Sequence, residues 1–68
     1  MLFYIKAKVY IKVFGISAEH LREISVIVKA ANREMAKEKF RQHCQRTFAH
    51  MQYDSIRYEF DEIAEEIQ

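Results

Sequence analysis

The chain has 68 residues, which is enough for one small domain. Half of the residues are hydrophobic and 31% are charged, a balance that excludes a disordered chain; the net charge of +1 lacks the strongly basic signature of many nucleic-acid binders. The single cysteine, Cys44, excludes an internal disulfide, and the single glycine, Gly15, excludes phosphate-binding loops built on several glycines.

The sequence contains no apolar run of 18 residues that would predict a membrane-spanning helix. Its first residues alternate lysine with apolar side chains and lack the pattern of a signal peptide. Together with the cysteine usage, these features predict a soluble protein of the cytoplasm with no membrane partner.

Residues 2–14 alternate strictly between two kinds of side chain, which is typical of a half-buried strand. The positions predicted to face the core are Phe3, Ile5, Ala7, Val9, Ile11 and Val13. The opposite face carries Tyr4, Lys6, Lys8, Tyr10 and Lys12. We call this second set the Tyr/Lys face.

Gly15 is a natural end for this strand. Residues 15–21 are predicted to form a connection, with one helical turn capped by Ser17 as an option. Residues 22–30 alternate again and predict a second strand whose inward positions are Ile24, Val26, Val28 and Ala30. Two adjacent strands joined by a short connection favour an antiparallel hairpin.

The periodicity then changes to that of a helix over residues 33–51, where apolar side chains recur at helical spacing. Asn32 is predicted to cap its N-terminus, although Met35 at the reciprocal position excludes a full capping box. A helix of this length matches the length of a strand of about ten residues. It can therefore lie along the sheet and cover its apolar face.

Alternation returns over residues 54–60, which predicts a third strand. Phe60, Ile63, Ala64 and Ile67 then follow helical spacing, so residues 61–67 are predicted to form a short helix capped by Asp61, with a frayed end as the alternative. The whole chain, residues 1–68, is thus expected to be one α+β domain of order β-β-α-β. We expect a three-stranded antiparallel or mixed sheet in the order 2-1-3, and the alternative places the third strand beside the second.

The Tyr/Lys face has two interpretations. It is the solvated side of the sheet if Glu59 and Asp61 of the third strand lie beside Lys6, Lys8 and Lys12, because cross-strand charge pairs stabilise a sheet and cancel its field. It is instead a binding face if Tyr4 and Tyr10 contact a partner, by stacking on bases or as part of a protein interface that also includes Ile27 and Ile63.

A second candidate surface is a ridge of the predicted helix. Its members recur at i, i+4, i+7 and i+11 and are Lys39, His43, Arg46 and His50. The simpler interpretation is a polar flank whose long stems pack along the edge of the core. The functional interpretation is a contact with an anion or an acidic partner that strengthens when the histidines are protonated.

Metal binding and catalysis have weak support in the sequence. His43 and His50 would lie two helical turns apart, about 10 Å, which is too far for one ion, and Cys44 falls on the apolar side of the helix. No nucleophile motif is present, and the chain is short for a pocket that encloses a substrate. We therefore expect no metal, no cofactor and no enzymatic activity.

The segment "ISVIVKAANREMAKEKF", residues 24–40, carries a resemblance. It consists of a strand ending in Val-Lys-Ala, a polar cap, and a helix with Ala36 at its first inward turn. In this segment the chain resembles small accessory proteins of phages and mobile elements, including some anti-CRISPR proteins of similar length and β-β-α-β order. The resemblance implies a single-domain inhibitor that binds a protein complex, and it transfers no individual functional residue.

The leading hypothesis is a small non-enzymatic protein-binding module, such as a phage-encoded inhibitor or regulator. The predicted contact residues are those of the Tyr/Lys face, followed by the helix ridge. One alternative is a nucleic-acid-binding protein that uses the Tyr/Lys face. Another is a structural module that self-associates as a homodimer through an exposed sheet edge or through the aromatic face.

Overall fold

The computed structural model describes residues 1–15 and 17–66. Within these residues the chain forms strands, one α-helix and one 3-10 turn. Their bounds are β1 Leu2–Val13, β2 Glu19–Lys29, α1 Arg33–Thr47, the 3-10 turn Ala49–Met51, and β3 Tyr53–Glu66.

The sheet has the order β2-β1-β3, and β1 pairs antiparallel with both neighbours. This arrangement confirms the predicted α+β class, the β-β-α-β order and the central position of the first strand. The alternative that placed the third strand beside the second is wrong. Because β1 is paired on both sides and covered by the helix, its inward residues from Phe3 to Ile11 are at most 2% exposed.

The β1–β2 hairpin is tighter than the sequence suggested. β2 begins at Glu19 rather than at residue 22, because Glu19, His20 and Leu21 continue the pairing opposite Lys12, Ile11 and Tyr10. The predicted helical turn at Ser17 is wrong for the described part of the connection, where that residue lies in a bend; Ile16 falls outside the described residues. Gly15 has a φ of +79°, a left-handed conformation that favours glycine.

Helix α1 begins where the sequence predicted and ends earlier. The side chain of Asn32 accepts a hydrogen bond from the backbone N–H of Met35 at 2.9 Å, which confirms the predicted N-cap. The helix ends at Thr47 rather than at residue 51, because the Met51 N–H bonds to the carbonyl of Phe48 and tightens the chain into a 3-10 turn. The chain can then reverse through Gln52 into β3.

The predicted helix over residues 61–67 is wrong for its described part, since β3 continues to Glu66; Ile67 lies outside the described residues. The cause is a β-bulge. The pairing with β1 steps from Ala7–Phe60 to Lys6–Glu62 and leaves Asp61 as an extra residue. Phe60 and Ile63 therefore share the inner face of a strand although they are three residues apart, a spacing that mimics a helix. A second shift, between Lys12 and Val13, leaves Asp54 extra in the same way.

The core lies between the helix and the inner face of β1. One buried stripe of the helix recurs every four residues and consists of Ala36, Phe40, Cys44 and Phe48. The ring of Phe40 meets the rings of Tyr58 and Phe60 edge-on, with centroids 6.1 and 5.5 Å away. The inward residues of the outer strands β2 and β3 are only partly buried.

Candidate functional site

The Tyr/Lys face lies on the side of the sheet turned away from the helix, as predicted. The structure brings its five residues together on the central strand, each flanked by one residue of β2 and one of β3. Tyr4 lies between Ile27 and Ala64. Tyr10 lies six residues farther along β1, about 20 Å away, so the two rings do not form a continuous aromatic platform.

The lysines of this face lie among carboxylates. The Nζ of Lys8 is 4.0 Å from the Oδ1 of Asp61, and the residues opposite Lys8 on the two neighbouring strands are Glu23 and Glu59. The other two lysines have matching neighbours: Lys6 is opposite Glu62, and Lys12 is opposite Glu19. These carboxylates cancel much of the positive potential that a phosphate backbone would require.

Tyr10 is also engaged within the chain. The guanidinium carbon of Arg57 lies 4.1 Å from the centroid of its ring, and its hydroxyl donates to Glu59 at 3.3 Å. Ile63 does not join these aromatic residues, because the bulge at Asp61 turns it to the helix side, where it packs against the core. The mixed patch predicted from Tyr4, Tyr10, Ile27 and Ile63 is therefore wrong in its last member.

The helix ridge borders a groove between α1 and β2. We call this feature the β2–α1 groove, and its lining residues are Val26, Ile27, Val28, Lys29, Lys39, Gln42, His43 and Arg46. Its volume of about 540 Å³ is sufficient to hold several side chains of a bound segment. His50 does not line this groove, because the helix ends three residues before it.

The two flanks of the helix differ in how their charges are compensated. On the β3 side, Lys37 lies 3.5 Å from Glu34, and Arg41 lies 3.4 Å from Glu38. On the groove side, neither Lys39 nor Arg46 has a carboxylate within 4.0 Å among the residues that the structure describes. The groove therefore retains the positive charge that the other flank neutralises.

Lys39 makes one notable contact in the groove. Its Nζ donates a hydrogen bond of 2.5 Å to the backbone carbonyl of Lys29, near the end of β2. This carbonyl belongs to the outer edge of β2, which no strand of the described residues covers. This contact ties the helix ridge to the backbone of β2.

Four lining residues were not proposed as contacts from the sequence, namely Val26, Val28, Lys29 and Gln42. Val26 and Val28 were assigned to the core, but they remain half-buried because β2 is an edge strand and the helix is centred on β1. Gln42 carries no charge and therefore gives no electrostatic signal in the sequence. Its position three residues after Lys39 places it on the same helical face, and this spacing was the available signal.

The described residues contain no group of three or more histidine, cysteine or acidic side chains that could hold a metal ion. Cys44 is fully buried, and this burial raises the pKa of its thiol to about 11. The thiol is therefore protonated at neutral pH and lies away from solvent. His43, its neighbour in sequence, is exposed on the ridge.

The helix among the described residues is too short and too polar to cross a membrane. Comparison with known proteins gave no significant relative: no family model matches the sequence, and neither the curated proteins nor the solved structures provide a match. The function is therefore inferred from the chemistry of the surfaces described above.

Proposed function

We propose that this chain is a small non-enzymatic protein-binding module whose main contact surface is the β2–α1 groove. The observation that carries the proposal is the uncompensated basic flank, Lys39 and Arg46, beside the half-buried valines of β2. Arginine next to partly exposed apolar side chains is typical of protein interfaces. The basic charge favours a partner segment rich in carboxylates.

The groove is a stronger candidate than the Tyr/Lys face. On that face, Lys8 and Tyr10 already contact Asp61, Glu59 and Arg57, so a partner would have to displace these contacts. On the groove side, Arg46 has no ion pair among the described residues, and Lys39 would give up only its contact with the Lys29 carbonyl. Contact through the Tyr/Lys face remains a separate prediction, and wild-type partner binding by a folded Tyr4→Ala, Tyr10→Ala variant would rule it out.

The biological role proposed for this binding is inhibition or regulation of a larger protein complex. It draws on the resemblance of residues 24–40 to small phage and mobile-element proteins and on the small size of the chain. A module of this kind acts by occupying a surface of its target and requires no chemistry of its own.

The test is affinity capture from a lysate of the chain's own host cells, at low and high salt and with and without nuclease. Wild type is compared with Lys39→Gln, Arg46→Gln, which removes two groove charges. The matched control is Lys37→Gln, Arg41→Gln, which removes two charges from the other flank of the same helix. We expect the wild type to capture a protein that is still recovered after nuclease treatment. The control variant should capture the same protein, and the groove variant should not.

Two results would contradict the proposal. Capture that disappears with nuclease would assign the chain to nucleic-acid binding. Equal capture by the groove variant and wild type would exclude the groove as the contact surface. Salt supplies an internal check, because a contact that depends on exposed charges weakens as ionic strength rises.

A further inference from the structure

The two outer strands of the sheet present very different edges. β3 carries two bulges and acidic side chains at both of them, Asp54 and Asp61, and bulges and charges are the usual protections of an exposed edge. β2 pairs with β1 over eleven consecutive positions, from Glu19 to Lys29, with no register shift in this fully described stretch. The edge of β2 is therefore regular and suited to pairing with a further strand.

The backbone groups that face this edge follow from one hydrogen bond. The N–H of Ala30 donates to the carbonyl of Met1 at 2.9 Å, which continues the register of the hairpin and makes these two residues a hydrogen-bonded pair. Bonded and non-bonded pairs alternate along an antiparallel ladder. The residues of β2 whose N–H and C=O point away from β1 are therefore Glu19, Leu21, Glu23, Ser25, Ile27 and Lys29. The contact of Lys39 with the Lys29 carbonyl agrees with this assignment.

Different side chains flank the edge on its two sides. On the helix side are the basic residues Lys39, His43 and Arg46. On the opposite side are Leu21 and Ile27, which are 47% and 62% exposed, with the polar residues Glu23 and Ser25 between them. Because successive side chains of a strand point to opposite faces, a strand added here would meet basic residues with one set of side chains and apolar residues with the other.

We infer that the chain binds its partner by strand addition, taking up an extended segment of alternating acidic and apolar residues along the edge of β2. This inference rests on the proposed function and specifies how the partner is bound. The N–H and C=O groups of the edge supply affinity, the acidic residues reach Lys39 and Arg46, and the apolar residues cover Leu21 and Ile27. Lys39 then exchanges the Lys29 carbonyl for a carboxylate of the partner.

Charge distinguishes this occupant from a second copy of the chain. Two copies paired antiparallel through β2 would place both helices on the same face of one continuous sheet. Their ridges would face each other, with Lys39, His43 and Arg46 opposed to the same groups. A nucleic-acid strand would satisfy the charge, but it offers no alternating N–H and C=O ladder to the edge.

The direct probe is an eight-residue peptide of alternating valine and glutamate, titrated into the isotope-labelled protein and followed by NMR. The matched ligand has lysine in place of glutamate. We expect binding of the acidic peptide only, with slowed amide exchange at Leu21, Glu23, Ser25 and Ile27. Exchange at the amides that already bond to β1 should change little. Lys39→Gln, Arg46→Gln should weaken binding by about tenfold, the loss expected for two partly exposed ion pairs.

A backbone variant separates strand addition from charge attraction alone. Ser25→Pro removes an N–H that points to the open edge and leaves the ladder with β1 intact, and proline is tolerated on edge strands. Ser25→Thr keeps the N–H and serves as the matched control. We expect the proline variant to lose binding and the threonine variant to retain it. If the proline variant does not fold, the amide-exchange pattern of the wild type decides the question.

The remaining outcomes overturn the inference. Strand addition is excluded if the acidic peptide does not bind. It is also excluded if the peptide binds but Ser25→Pro does not weaken binding and exchange of the edge amides does not slow. In either case the lysate test of the proposed function still applies. A dimer that forms without peptide and is lost in Ser25→Pro identifies a second copy as the occupant. Displacement of the peptide by an oligonucleotide that binds more tightly identifies nucleic acid.

Discussion

The guanidinium carbon of Arg57 lies 4.1 Å from the centroid of the Tyr10 ring, and its Nη2 lies 3.2 Å from the Oε1 of Glu19. Arg57 belongs to β3, Tyr10 to the central strand and Glu19 to β2. One side chain thus links all the strands of the described sheet on the face away from the helix. Through this link, Tyr10 of the Tyr/Lys face is already in contact with a side chain of the same chain.

The first prediction concerns this link. A double-mutant cycle with Tyr10→Leu and Arg57→Met, measured by denaturant unfolding, should give a coupling free energy of about 0.5–1 kcal/mol, the range for an exposed cation–π pair. The companion cycle of Arg57→Met with Glu19→Gln should give a smaller coupling that declines with salt. A coupling of zero between Tyr10 and Arg57 would mean that the face is not organised in this way.

The second prediction concerns the bulge at Asp61. Deleting this residue should restore regular alternation, with Phe60 and Ile63 still facing the helix, so the free energy of unfolding should fall by only about 1 kcal/mol or less. Deleting Glu59 is the control. It would turn Phe60 outward and Asp61 inward, and should cost about 3–5 kcal/mol, enough to unfold a domain of this size. Equal losses for the two deletions would contradict the assigned register.

The third prediction concerns the start of the helix. Asn32→Ala removes the acceptor for the Met35 N–H and should lower the free energy of unfolding by about 1 kcal/mol. Asn32→Asp keeps an acceptor at the same place and adds a negative charge next to the N-terminus of the helix, so it should be at least as stable as the wild type. Thermal or denaturant unfolding of the three proteins provides the comparison. A stable alanine variant would show that this cap contributes little.

The fourth prediction concerns alkaline pH. Burial raises the pKa of the Cys44 thiol from 9.0 to about 11. The pKa of Tyr58 is raised from 10.0 to about 12, mainly by burial and to a smaller extent by charge interactions with Cys44 and Tyr53. Both groups are neutral in the fold at lower pH. Their contribution to the free energy of unfolding is therefore fully present below pH 9 and is lost as pH rises through about 11 to 12.

The measurement is the free energy of unfolding between pH 8 and pH 12. We expect Cys44→Ala to remove the earlier part of the alkaline decline and to leave the later part, which belongs to Tyr58. The absolute stability of the variant will be lower because a buried side chain is truncated, so the shape of the curve is the readout. An unchanged curve in the variant would show that the thiol does not contribute to the decline.

Much of the fold was predictable from the sequence because the spacing of apolar residues in β1 and α1 matches the burial of these residues in the fold. The alternation of β1 is strict, since its inner face is fully covered, and the helix stripe from Ala36 to Phe48 lies against that face. The end of β3 was not predictable in this way. A bulge shifts the alternation by one residue, and the resulting spacing of Phe60 and Ile63 is the same as that of a helix.

The groove was only partly predictable. The ridge of Lys39, His43 and Arg46 follows from helical spacing, but its value as a site depends on which strand lies beside it and on which charges are compensated. Val26 and Val28 have the sequence pattern of core residues, and only the position of β2 at the edge of the sheet leaves them half-exposed. The position of a strand within the sheet depends on the tertiary structure and leaves no local signal in the sequence.

Site-specific photo-crosslinking in living cells tests the central claim most directly. A photoreactive amino acid placed at Gln42, an exposed residue of the groove, is compared with the same amino acid at Tyr4 on the opposite face of the sheet. The account predicts a crosslinked protein from position 42 that is absent from position 4. Crosslinking from position 4 alone, or to nucleic acid alone, would contradict it.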